Sequence, residues 1–364
     1  LTARAFLFIE TQYDNLGDAL INRELLRHMA RHARVTAGIS RAQPSFLGMI
    51  GDDFLSTLDL DRTRGRSRFL LRVLQYRLKG DCCYVFLSPG GWIGDLDGRL
   101  NLRSWFHTLL YYLLRASGAK IVQLGVSYED LGPKLKLQLR ARSAALYRHF
   151  VRDSQSAQTA KSLDVRIDGI CPDLAFTAFS APFASDPRPA VSFSFRADQY
   201  RAQIDDIKRF LELYMRTHPA AWAVYFITQV EKDQETNSRL AAWFRQRFSR
   251  DAIHETGCRS IEETRRLYRR SGVVVSNRLH ALLLAGSVGN AMIAAPIGLH
   301  NKKIAALFSD IGLANNVFGP EFAASADGLE RLAQARSTRT EARAEQRNIE
   351  AVFENLFSTP KGHR

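Results

Sequence analysis

A chain of 364 residues with 46% hydrophobic content is long enough to build two domains rather than one. Lys and Arg outnumber Asp and Glu by 51 to 37, a formal net charge of +14, so nucleic acid, anionic lipid and phosphorylated small molecules all suit its field. Four cysteines with no CxxC pair argue against a disulfide framework or a paired-thiol metal site, and no apolar run is long enough to span a bilayer.

Segments of β-branched and aromatic residues alternate with longer helical patterns, the rhythm of βα units around a parallel sheet. Ala5 to Ile9 reads as a strand, Asp18 to Arg31 as a helix, and Cys82 to Leu87 as a strand. The adjacent Cys82 and Cys83 then read as reduced core thiols. Leu102 to Ala116 reads as a helix, Lys120 to Leu124 as a strand, and Pro133 to His149 as a helix. Phe150 to Ser154 suggests a short strand ending at an N-cap, Asp153, and Ile167 to Ile170 another strand.

Three prolines between Ser180 and Pro189 mark a boundary, because proline disfavours helix interiors and central strands. The rhythm then restarts with strands Ala190–Phe195, Trp222–Ile227, Val273–Ser276 and Met292–Ala294. The helices there are about 203–216, 234–248 and 261–270, one from about Leu279, and Lys303–Ser309. The expected organisation is one Rossmann-like domain over 1–180, a second over 181–325, and a helical segment over 326–364 packing back on the body. Two doubly wound α/β domains would face a cleft, with chemistry at the carboxyl ends of the strands.

Candidate residues cluster at such strand ends. Asn15-Leu16-Gly17-Asp18 follows the first strand, where Gly17 would let a ligand approach the backbone; Asn15 or Asp18 acting only as a helix cap fits equally. Gly90 and Gly91 follow the Cys82–Leu87 strand and could offer amides to a phosphate or sugar oxygen, with Asp95 nearby. Trp92 beside them could stack on a sugar or cover the core. Ser276-Asn277-Arg278-Leu279-His280 joins a buried strand to a helix and is the expected anion-handling centre. Arginine can fork onto a carboxylate or phosphate, and histidine can transfer a proton. The plainer alternative is an Arg paired with a local acid and a His that caps a helix. Arg196 and Lys303 are further candidate cations. No GxGxxG, Walker A, HExxH or GxSxG pattern occurs, so neither a metal nor a dinucleotide cofactor is expected.

Arg62 to Lys79 carries seven basic residues and no acid, with Phe69, Leu70, Val73, Leu74 and Leu78 on its apolar side. It reads either as a solvated face of a core helix or as a basic amphipathic helix suited to an anionic membrane. Without a signal peptide, a cytoplasmic location is expected, and the second reading of that run would place the protein at the inner face of the plasma membrane. Leu1 stands where a Met would begin a full chain, which fits a piece of something longer.

In this order the motifs resemble the polysaccharide pyruvyl transferase family from about Asn15 to about Lys303. Asn15-Leu16-Gly17-Asp18 is similar to its NxGD, and Pro89-Gly90-Gly91 to its glycine turn. Leu124 to Ser127, with Gly132-Pro133 and then Val151-Arg152-Asp153 with Ser156, is similar to its middle block. Pro172-Asp173-Leu174-Ala175-Phe176 resembles the segment that closes the first domain, and Arg278-Leu279-His280-Ala281 resembles its RLHA signature. Trp92, Ala291 and His300 depart from the family pattern.

The resemblance implies a fold like that of GT-B glycosyltransferases, phosphoenolpyruvate as donor substrate without a cofactor, and a pyruvate ketal on a sugar of a bacterial exopolysaccharide or surface-glycan precursor. The acceptor would be a sugar or a lipid-linked oligosaccharide. His280, Arg278 and Asp18 are the expected catalytic residues; Asn15, Gly17, Gly90, Gly91, Asp95, Arg196, Ser276, Asn277 and Lys303 would bind substrate. The competing expectations are a nucleotide-sugar glycosyltransferase and a non-catalytic protein that holds an anionic polymer.

Overall fold

A computed structural model describes residues 3–91, 102–128, 133–179, 190–196, 202–218, 223–248, 253–257, 260–298, 302–320, 330–332 and 339–358. The chain forms two compact units. The first gathers Leu1–Tyr13, Leu20–Leu174 and Gln346–Arg364; the second gathers Asp14–Ala19 and Ala175–Glu345.

The first unit begins β1 (Ala3–Phe8), α1 (Leu16–His32), β2 (Arg34–Gly38), α2 (Pro44–Ile50), α3 (Asp52–Leu55), β3 (Asp59–Asp61) and α4 (Arg66–Leu78). It continues through β4 (Cys82–Leu87), β5 (Gly90–Gly91), α5 (Leu102–Ala116), β6 (Lys120–Ser127), α6 (Pro133–Ala145), β7 (Arg148–Val151), α7 (Ser154–Ser162) and β8 (Gly169–Ile170). All its strand pairs are parallel, in the order β3-β2-β1-β4-β6-β7-β8, with β5 pairing β6 off that path.

A parallel sheet covered on both faces needs strands apolar on both faces, and β4 shows why Cys-Cys-Tyr-Val-Phe-Leu meets that need. Cys83, Val85 and Leu87 join Phe6 and Phe8 of β1 in a core under α4 and α5. Tyr84 and Phe86 point to the opposite side, where Phe353 and Phe357 lie against them. Those two phenylalanines belong to the last helix, whose ring at Phe353 also stacks on His28 at 4.7 Å. Cys82, Cys83 and Cys171 form no disulfide, and burial pushes the Cys83 thiol up to about 11.

The second unit contains β9 (Val191–Ser194), α8 (Ala202–Thr217), β10 (Val224–Thr228), α9 (Gln234–Phe248), β11 (Ile253–Gly257) and α10 (Ile261–Tyr268). It goes on to β12 (Val273–Ser276), α11 (Leu279–Gly286), β13 (Ala291–Ala294) and α12 (Lys302–Asp310); the final helix is α13 (Arg339–Phe357). Its sheet is parallel, ordered β11-β10-β9-β12-β13 around a core that includes Phe193, Phe195, Phe226, Phe244 and Val275. Each unit is therefore a Rossmann-like α/β layer, as the βα rhythm implies.

Several boundaries differ from the sequence reading. The helix expected to reach His149 stops at Ala145, and His149 lies in β7 between β6 and β8. β2, β3 and β11 have no counterpart in that reading. The outermost strands β3 and β11 are polar and part-exposed, so the apolar signature of a buried strand is missing. Asp153 caps α7 as expected, its carboxylate accepting from the Ser156 amide at 2.7 Å. Among the described residues no helix is long and apolar enough to cross a membrane.

Candidate active site

In a doubly wound sheet the crevice for a ligand opens where the strand order reverses, beyond the carboxyl ends of the two strands that part there. In the second unit that reversal falls between β9 and β12. β9 runs out into Phe195-Arg196 and β12 into Asn277-Arg278, so the sequence motif sits at the reversal itself.

A net of buried polar side chains fixes the two ends. Ser276 Oγ donates to the Ser194 carbonyl and accepts from the Arg278 amide at 2.9 Å. Asn277 Oδ1 accepts from the Arg196 amide at 2.7 Å while its Nδ2 donates to the Arg196 carbonyl at 2.8 Å. Asn237 of α9 does the same for Phe195, with both bonds at 3.1 Å, and also donates to the Asp233 carbonyl at 3.0 Å. Ser276 and Asn277, expected to bind substrate, thus direct these bonds to the backbone and set the position of Arg196 and Arg278.

Arg278 directs Nε to the carboxylate of Asp233, a buried residue in the short 3-10 turn after β10. The pair holds the guanidinium plane in place and offsets part of its charge, while Nη2 is buried with no hydrogen-bond partner among the described residues. Sequence reasoning misses Asp233 and Asn237. Asp233 shows only as an acid directly before a helix, which reads as an ordinary cap, and Asn237 lies inside α9 as a polar residue with no distinguishing signal.

His280 lies half-buried in the first turn of α11, whose N-cap position, Arg278, makes no side-chain cap. The first-turn amides at a helix N-terminus favour an anion. Packed against the imidazole is Gly17. A Cβ built there would stand 2.3 Å from His280 Nδ1, so only glycine lets the start of α1 lie on the ring. Asn15 shapes that turn: its Oδ1 accepts from the Gly17 amide at 2.9 Å, and its backbone bridges to Val230 just after β10. Asn15, Gly17 and Asp18 accordingly group with the second unit, together with Arg278 and His280. Lys303 stands in the first turn of α12 in the same unit.

The remaining candidates lie in the first unit or outside the described residues. Gly90 and Gly91 form β5, paired with Val126 and Ser127, and Gly90 takes φ +109°, a conformation L residues rarely adopt. Asp95 and Trp92 lie outside the described residues.

Two other polar clusters of the first unit are sealed. Arg152 bridges Asp153 and Asp173, and all three are buried. Tyr128 donates to His149 Nε2 at 2.8 Å, while His149 Nδ1 faces the Arg166 carbonyl at 2.8 Å; burial lowers this imidazole to about 4, so it is neutral at physiological pH.

The family model for polysaccharide pyruvyl transferase matches residues 15–289. No curated protein matches the chain in sequence. Solved structures with the same fold include a UDP-N-acetylglucosamine 2-epimerase with a TM-score of 0.60 and 12% identity, covering 100% of this chain and 98% of that one. The UDP-GlcNAc 2-epimerase of Methanocaldococcus jannaschii gives 0.58 and 10%, over 98% and 100%. That of Neisseria meningitidis, bound to UDP-GlcNAc, gives 0.55 and 13%, over 98% and 100%. At such identities the likeness establishes the fold alone, which is GT-B-like.

Proposed function

Since the chain belongs to the polysaccharide pyruvyl transferase family, we propose that it moves the pyruvyl group of phosphoenolpyruvate onto two hydroxyls of one sugar in a bacterial surface-glycan precursor, at the cytoplasmic face of the membrane. The observation that carries this reading is the contact of Gly17 with His280. It joins the two ends of the matched region, Asn15–Asp18 and Arg278–Ala281, in one unit beside a fixed arginine.

The reaction needs a proton delivered to the methylene carbon of phosphoenolpyruvate. Two C–O bonds then form from the sugar hydroxyls to its C2, the C2–O bond to phosphate breaks, and both hydroxyl protons leave. Arg278 and the first-turn amides of α11 suit the donor's carboxylate or phosphate, with Arg196 and Lys303 as further cations. His280 delivers the proton or stabilises the departing phosphate, and Asp18 orients or deprotonates a sugar hydroxyl. The donor carries its own activation, so the chemistry asks for no redox or nucleotide cofactor.

Mass spectrometry of candidate oligosaccharides after incubation with phosphoenolpyruvate and enzyme tests this directly. One added pyruvate ketal with release of phosphate is expected; phosphate release without a modified sugar leaves the acceptor class wrong. The epimerase likeness favours a second reading, a nucleotide-sugar transferase. Calorimetric binding of a UDP-sugar but not of phosphoenolpyruvate would establish that reading instead.

A further inference from the structure

Among the described residues, the helical layer formed by α4, α5 and α6 has a face left exposed. α5 buries Leu110, Tyr111 and Leu114 against the first sheet. It then carries a second apolar stripe outward: Leu102 is 79% exposed, Phe106 50%, Leu109 56% and Leu113 53%. Their spacing of four, three and four residues places them within about 60° of the helix circumference. Single exposed leucines are ordinary on a protein surface, but a stripe in helical register along a whole helix is not.

The neighbouring helices carry exposed leucines as well. Leu71 and Leu78, one heptad apart on α4, are exposed, and so is Leu137 on α6. α5 packs against both of these helices. Arg68 and Lys79 flank the α4 leucines and are exposed.

Charge identifies the occupant. The three helices hold no Asp or Glu; Arg66, Arg72 and Arg140 are paired with Glu10, Asp61 and Asp164 from outside them, which leaves Arg68, Lys79 and Arg115 as exposed basic residues of this layer. A second copy docked on the same face by two-fold symmetry would set cation against cation. A nucleic acid would leave the leucines in water. An anionic bilayer satisfies both parts, with leucines and phenylalanine at the acyl boundary and basic residues at the headgroups.

The geometry points to this face as a docking surface for an anionic lipid bilayer. α5 lies flat in the interface and α4 supplies headgroup contacts. The surface is thus wider than the Arg62–Lys79 run and centred on a helix that the run does not include. Its purpose rests on the proposed reading, since a lipid-linked acceptor would be presented there, but its existence does not.

The test is co-sedimentation of the full chain with vesicles of phosphatidylcholine alone or doped with phosphatidylglycerol. Binding is expected only to the doped vesicles. Leu109→Glu with Leu113→Glu is expected to weaken it about tenfold or more, as is Arg68→Glu with Lys79→Glu, each with an unchanged melting temperature. Because these positions are exposed, phosphate release with a soluble acceptor is expected to persist in all variants, which separates failure of docking from failure of the pyruvyl-transfer reading. Vesicle binding untouched by both double substitutions would overturn the inference. So would a dimer, seen by sedimentation velocity, that Leu109→Glu with Leu113→Glu dissolves.

Discussion

The two units wind strands in the same order around one reversal, β3-β2-β1-β4-β6 in the first and β11-β10-β9-β12-β13 in the second. Each ties its reversal with a serine. Ser88 Oγ donates to the Phe8 carbonyl at 3.2 Å and accepts from the Glu10 amide, as Ser276 does with Ser194 and Arg278. Beyond the serine the two chains part. After Ser88 the backbone adds the short β5 to the sheet; after Ser276 it turns directly into α11, which presents Arg278 and His280. The first unit does hold charged and imidazole groups near its strand ends, but they are closed in, Arg152 between two aspartates and His149 between Tyr128 and a carbonyl. The same scaffold therefore serves twice, and partial exposure separates His280 from the sealed His149.

Substitutions can break that contrast. His280→Ala is expected to lower phosphate release from phosphoenolpyruvate by about a hundred- to ten-thousandfold. Its melting temperature is expected to stay within a few degrees of the parent, so a folded, fully active variant would remove His280 from the chemistry. Arg152→Ala is the converse: it leaves Asp153 and Asp173 buried without their cation. Urea denaturation is expected to show a loss of about 3–5 kcal/mol.

Gly17→Ala drives a methyl into the imidazole, and a displaced proton donor is expected to cost about a hundredfold in kcat with KM little changed. An active Gly17→Ala enzyme with His280 still in place would show that the contact is only packing. The smallest effect concerns acid. His149 titrates near 4 when folded and near 6.5 when unfolded, so only the unfolded chain binds its proton between those values. Stability is expected to be full above pH 6.5, to fall by no more than about 3 kcal/mol as pH drops to 4, and to owe nothing further to this residue below that. Replacing His149 with Gln is expected to flatten that slope.

The alternation of strands and helices was legible in the sequence because buried parallel strands are apolar on both faces. Val273–Ser276 is found at the expected residues, whereas polar outer strands such as Ile253–Gly257 gave no such signal. The placement of Arg278 and His280 at a strand end and helix start was legible because residue type and the end of a buried strand coincide there. Partners distant in sequence were not. Nothing in the local pattern of Asn15 to Asp18 says that it groups with residues some 260 positions later, nor that Asp233 is reserved for Arg278. The polar atoms of Ser276 and Asn277 looked available to a ligand, yet the backbone takes them.

The aromatic seat of α13 also bears on how the chain is made. Phe353 and Phe357 complete the face of the first sheet at Tyr84 and Phe86, so nearly the whole of the second unit leaves the ribosome before the first has its last piece. Domains ordinarily fold one after another during synthesis. Here the contacts that Phe353 and Phe357 make with Tyr84 and Phe86 can form only once residues that follow nearly all of the second unit have been made.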